Sequence, residues 1–129
     1  MSSPLKGIKI LDLTHMLAGP YGTMVLADLG AEIIKIEPPL KGEITRNLLK
    51  NDPDYSVDGV GAYHLTLGRN KKSLTLDLKS DPGKNIFYQL VKKADVVIDN
   101  FSSGVTKRLK IDHETLKAHN EKIISCSIS

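Results

Sequence analysis

Cysteine occurs once, at Cys126, and tryptophan not at all. A single thiol cannot close a disulfide within the chain or build a cysteine-based metal site, and it fits a reducing compartment. Aromatic residues are scarce, with four Tyr and two Phe, so stacking platforms for single-stranded nucleic acid are few. No apolar run approaches the roughly 18 residues of a membrane span. The N-terminal stretch "MSSPLKGIKI" also lacks the basic segment and apolar run of a secretory signal. These absences predict a cytoplasmic chain with neither nucleic acid nor membrane as partner. The net charge of +3 is only mildly basic, and a few local Lys and Arg residues suffice for a small anionic ligand.

What is present alternates. Ile8 to Leu13 and Ala31 to Glu37 are aliphatic runs that read as buried strands, and "TMVLADLG" between them reads as a helix with Pro20 in its first turn and Gly30 as its C-terminal cap. Residues 38 to 60 carry three prolines and many polar groups, which predicts a long excursion with one helical turn, and such loops are often functional. Lys72 to Leu78 alternate as an edge strand would. Ser80 or Asp81 then caps a helix that turns Ile86, Phe87, Leu90 and Val91 to one face. Val96 to Ile98 form a fourth strand, Val105 to Leu109 and His113 to His119 two short helices, and "KIISCSIS" a last strand. The fold class is therefore α/β, a Rossmann-like, mainly parallel sheet of about five strands with flanking helices, in one domain spanning 1–129.

The turn "LTHMLAGPYG", residues 13–22, sits where a dinucleotide fold carries its phosphate loop. Glu37 ends the second strand about 20 residues later, where an acidic side chain can hold a ribose. Gly19 and Gly22 nevertheless lack the Gly-x-Gly-x-x-Gly spacing, and Pro20 removes a backbone donor, so NAD is disfavoured. "HETLK" at 113–117 places Lys117 where a second zinc ligand belongs, and no Gly-x-Ser-x-Gly elbow exists. No metal is expected. His64, His113 and His119 read as loop or solvated helix residues, and Cys126 as a small buried strand residue. His15 directly follows a strand, where α/β folds bind ligands, although bonding to a local carbonyl explains that position equally well. Among Arg69, Lys71, Lys72, Lys79, Lys107 and Arg108, most belong to solvated faces. Lys79 and Arg108 follow element ends and are placed to approach one crevice and hold a phosphate.

Four ordered blocks, "GIKILDLTHMLAGPYGTMVLADLGAEIIKIEPP", "GRNKKSLTLDLKS", "ADVVIDNFSSGV" and "RLKID", resemble the N-terminal part of the class III coenzyme A transferases. That family includes formyl-CoA and carnitine CoA-transferases and the related α-methylacyl-CoA racemases. The resemblance implies a first turn that binds coenzyme A through backbone and apolar side chains, with no glycine fingerprint. It assigns CoA contacts to His15, Leu17 and Ala18 in that turn, to Leu76 and Lys79, to Asn100 and Phe101, and to Arg108. Pro38 and Pro39 stand where some members carry a CoA-contacting arginine, so that contact is lost or passes to Lys41 or Arg46.

The resemblance also implies acyl-CoA and carboxylic acid substrates, no other cofactor, and a homodimer for the full-length enzyme. Its chemistry runs through an aspartyl mixed anhydride and an enzyme-CoA thioester. The nucleophilic aspartate of the family matches none of Asp12, Asp77, Asp95 and Asp99 and falls beyond Ser129, with the second domain. Residues 1–129 therefore read as the CoA-binding part of such an enzyme, with no catalytic residue of their own. The rivals are racemase-type chemistry and a CoA-binding or interaction module without chemistry.

Overall fold

The computed structural model describes residues 3–129. Five parallel strands form the main sheet: β1 (Lys9–Asp12), β2 (Glu32–Glu37), β5 (Lys71–Thr75), β6 (Val96–Asp99) and β7 (Ile124–Ser127), in the spatial order β5-β2-β1-β6-β7. The expected α/β class and strand count hold. A two-stranded ribbon, β3 (Ser56–Val57) and β4 (Val60–Gly61), and the helix α2 (Ala62–Leu67) were not legible in the sequence. They lie in and just after the excursion, which also contains a 3-10 turn at Ile44–Asn47.

Because side chains alternate across a strand, the sheet has two chemically distinct faces. On one, Leu11, Leu13, Ile36 and Val97 pack against Phe87 and Val91 of α3 (Asp81–Val91), Leu116 of α5 (His113–Lys117), and Ile111, which links α4 (Val105–Leu109) to α5. On the other, Ile10, Ile33 and Ile98 meet Ala27 of α1 (Ala18–Asp28). Gly30 at φ +101 closes α1, its N–H bonding to the Ala27 carbonyl. Ser80 caps α3 by accepting from the Gly83 N–H at 3.1 Å.

Two expectations are corrected. Ile86 does not join the α3 core face: it is 50% exposed while Phe87 is fully buried. The apolar run from Ile86 to Val91 is wider than the stripe the sheet covers. Cys126 is exposed rather than buried, because it lies on β7, the edge strand of the sheet, beyond the part of this face that α1 covers. The third strand also ends at Thr75, so Leu76 lies just past its carboxyl end.

The strand order reverses between β1 and β6. The chain winds outward from β1 through β2 to β5, then returns to the other side of β1. In open α/β sheets the crevice at this switch point, beyond the carboxyl ends of the strands, is where ligands bind. Here it lies between the turn after β1 and the segment after β6.

Candidate functional site

The turn after β1 is held almost entirely by buried side chains. The Thr14 N–H donates to Asp12 Oδ1 at 2.9 Å, and Lys35 Nζ donates to the Thr14 carbonyl. Asn100 clamps His15 from across the switch point, accepting its N–H at 2.8 Å and donating to its carbonyl at 2.9 Å. Met16, at φ +67, donates its N–H to Glu43 Oε1 at 3.0 Å. Gly19 answers a packing need rather than a phosphate: a Cβ there would lie 2.3 Å from the Thr14 Cβ, so only glycine lets α1 start this close to the turn.

One side of the crevice is an apolar cleft of about 160 Å³ lined by residues that include His15, Leu76, Lys79, Phe101 and Leu109. The His15 and Phe101 rings sit 5.4 Å apart at an interplanar angle of 51°. Burial holds the His15 imidazole below its ordinary value and the Lys35 ammonium adds to this, against the opposing pull of Glu43, Asp12 and Glu37. His15 is therefore neutral near pH 7 and serves as an aromatic wall rather than a cation.

The structure thus brings four of the residues implicated by sequence into one cleft: His15, Leu76, Lys79 and Phe101. Leu17 and Ala18 are exposed at the start of α1, outside its lining. Asn100 spends its side-chain amide on His15, so it shapes the crevice from behind. Arg108 is exposed on α4, one residue before Leu109. Of the other cations, Arg69 pairs with Asp28 at 2.6 Å, Lys72 with Glu32 at 3.0 Å, and Lys71 is buried against Asp12 at 3.3 Å. Lys79, Lys107 and Arg108 are exposed without an ion pair among the described residues. Arg46 directs its guanidinium to Glu37 through two 2.6 Å bonds.

Glu37 is correspondingly unavailable to a ribose. It is 2% exposed and accepts from Arg46, Ser73 and the Glu43 N–H. Burial works to raise its carboxyl, but the bonds from Arg46, Ser73 and the Glu43 amide hold it at about 2. Glu43 behaves alike: against burial, His64, Thr45 and the Met16 and Thr45 amides bring it to about 2.

Behind the turn lies a buried polar network that the sequence reading missed. Asp12 accepts from Thr14 Oγ1 at 2.5 Å, Thr23 Oγ1 at 2.6 Å, Lys35 and Lys71, and Lys71 also donates to the Pro20 carbonyl at 2.8 Å. No buried side-chain nitrogen or oxygen among the described residues lacks a partner, the condition under which buried charges are tolerated. The available signal was Lys35 inside "EIIKIE", a charge at a position where a central parallel strand otherwise carries an aliphatic residue.

Comparison with known proteins supplies the family. CoA-transferase family III matches residues 5–129. A succinyl-CoA:mesaconate CoA-transferase of Haloarcula hispanica is 41% identical over 128 residues, covering 96% of this chain and 31% of the relative. A formyl-CoA:oxalate CoA-transferase of Bradyrhizobium sp. (strain ORS 278) is 43% identical over 128 residues, covering 99% of this chain and 29% of the relative. The crystal structure of a CAIB/BAIF family protein from Brucella suis superposes with a TM-score of 0.90 at 39% identity, covering 100% of this chain and 34% of that one. A short chain dehydrogenase/reductase family protein reaches only a TM-score of 0.51 at 12% identity, a likeness of fold alone. The chain spans about 30% of the length of the curated relatives it matches, and it belongs to CoA-transferase family III.

Proposed function

We propose that residues 1–129 form the coenzyme A-binding part of a cytoplasmic, homodimeric enzyme that transfers coenzyme A between carboxylic acids. The observation that carries this reading is the cleft at the switch point, where the rings of His15 and Phe101 and the aliphatic Leu76 line one pocket with Lys79. An apolar wall suits the adenine and pantetheine portions of coenzyme A, and unpaired cations suit its phosphates. Lys79 lines this cleft and Arg108 adjoins it through Leu109, and both remain free for that role. In this proposal the turn's apolar side chains Leu17 and Ala18 make the outer contacts.

The aspartyl anhydride step belongs, on this reading, to a residue outside this chain. Each of the four aspartates named above accepts at least one hydrogen bond. Asp12 is buried between Lys35 and Lys71, Asp95 accepts the Lys9 N–H, Asp77 accepts the Lys79 N–H, and Asp99 accepts from Phe101 and Ser127. Binding and chemistry therefore separate, and the chain alone acts as a binding module. Titration calorimetry with coenzyme A tests the reading. Arg108→Ala and Lys79→Ala are each expected to weaken binding about tenfold, the value of one charge-assisted contact. Affinity unchanged in both variants, or no heat with the unsubstituted chain, rejects it. Incubation with an acyl-CoA and a labelled carboxylic acid should yield no labelled thioester, and steady turnover would place the nucleophile within this chain.

A further inference from the structure

Met16 adopts φ +67 in the middle of the turn, although it is neither glycine nor asparagine. A bulky residue in the left-handed region is sterically disfavoured and persists where its surroundings over-determine it. The neighbouring peptide groups are fixed by Lys35 and Asn100, both on sheet strands or their ends. Met16 is held differently. Its N–H is taken by Glu43, which belongs to the long excursion after β2, is 27 positions away in sequence, and is 1% exposed. The other oxygen of Glu43 accepts from the Thr45 N–H at 3.0 Å and from the Thr45 hydroxyl. The Glu43 N–H is itself anchored on Glu37 at 2.7 Å. One carboxylate thus pins the excursion to the turn that presents His15 to the cleft.

We propose that Glu43 is a positioning residue for the coenzyme A cleft. By fixing Met16 in its left-handed conformation, it holds, together with the Asn100 clamp on the His15 backbone, the turn that carries His15, and makes affinity for coenzyme A depend on the seating of residues 38–60. The inference rests on the coenzyme A reading above. It does not require Glu43 to touch the ligand, which its burial among Thr45, His64 and Met16 precludes.

The test combines calorimetry with site-resolved amide exchange on the 129-residue chain. Glu43→Ala should weaken coenzyme A binding about tenfold, the loss of a charge-assisted bond to a strained segment. It should speed exchange at the Met16 N–H at least tenfold while Val97, in the sheet core, keeps its protection. Glu43→Gln, which keeps one acceptor of the same reach for the Met16 N–H but loses the one facing the Thr45 N–H, should restore part of both. If the alanine variant does not fold, Glu43→Asp keeps the charge and withdraws it by one methylene, and about a threefold loss of affinity with faster Met16 exchange is expected. Affinity within twofold of the parent in Glu43→Ala, or in Glu43→Asp where the alanine variant does not fold, overturns the inference, as does equal loss of protection at Met16 and Val97. A parent chain that binds no coenzyme A overturns the proposed function instead. The exchange at Met16 then still decides whether Glu43 fixes the turn: unaltered exchange overturns the positioning role, and faster exchange confined to the turn supports it.

Discussion

The two faces of the sheet near the carboxyl ends of β1 and β2 are built from opposite materials. Under α3 and α5 the strands present Leu11, Leu13 and Ile36 to Phe87, Val91 and Leu116. Toward α1 the same strands present Asp12, Lys35 and Glu37, all at most 5% exposed. The hydrocarbon face gains from any apolar contact of suitable volume, so it tolerates repacking. The ionic face is stable only as a complete set, since each charge depends on named partners at fixed distances. The first face supplies bulk stability and one wall of the cleft. The second fixes the backbone of the turn, through Thr14, Thr23 and Glu43.

The sharpest way to break this comparison is to delete one member of each face. Asp12→Ala leaves Lys35 and Lys71 buried without their counter-ion, and a loss of about 3–5 kcal/mol is expected. Phe87→Ala removes a fully buried ring and is expected to cost a similar ~3–5 kcal/mol through lost burial and a cavity. Denaturant midpoints measure both. The difference appears on repair: Phe87→Leu should recover much of the loss, whereas Asp12→Asn, nearly the same shape, should recover little because the two ammonium groups remain uncompensated.

Acid separates the faces without mutation. Glu37 and Glu43 titrate near 2 in the folded chain against an ordinary 4.5, and Asp12 is also held below its ordinary value. Between pH 4.5 and 2 the unfolded chain binds more protons at these carboxylates than the folded one, so their contribution is complete above about 4.5 and drains away as pH falls toward 2. His15, depressed by burial, carries the same sign and begins the decline below its ordinary 6.5. Thermal midpoints across this range should fall steeply in the parent chain and less steeply in Glu43→Gln. An identical slope in that variant would mean that the Glu43 bonds contribute nothing to the acid response.

Gly19→Ala asks how tightly the turn is locked. Its new methyl would approach the Thr14 Cβ to 2.3 Å, and Thr14 cannot yield without breaking its bonds to Asp12. A loss of about 1–3 kcal/mol is expected, the usual range for overpacking. A stability change below this range would show that the helix start can shift and that the turn is not rigidly placed.

The hydrocarbon face was legible in the sequence because its signal is local: aliphatic runs of four to six residues, a Ser80 cap, a closing Gly30. The five strands and the two longest helices, α1 and α3, follow from that signal. The cleft was partly legible: His15 and Lys79 follow predicted strand ends, whereas Leu76 and Phe101 came only from the family resemblance. The ionic face was not, because it joins residues from β1, α1, β2, the excursion, α2 and β5, and no spacing rule links Asp12 to Lys71 or Met16 to Glu43. Nor does spacing link Asn100 to His15, 85 positions apart, whose backbone its side-chain amide clamps.

The smallest expected effect tests periodicity itself. Ile86 and Phe87 are neighbours on α3, and an apolar count assigns both to the core, but one is half exposed and the other fully buried. Successive residues on a helix are separated by about 100°, so a sheet that covers Phe87 and Val91 leaves Ile86 toward the helix flank. Ile86→Ala therefore removes side-chain area that folding shields only in part, and alanine's higher helix propensity offsets some of the loss. The net change should stay within about 1 kcal/mol, several-fold below Phe87→Ala, in matched urea titrations. A loss near that of Phe87→Ala would mean that a further surface covers Ile86 in solution, and the exposed flank of α3 would then be a contact rather than a solvated face.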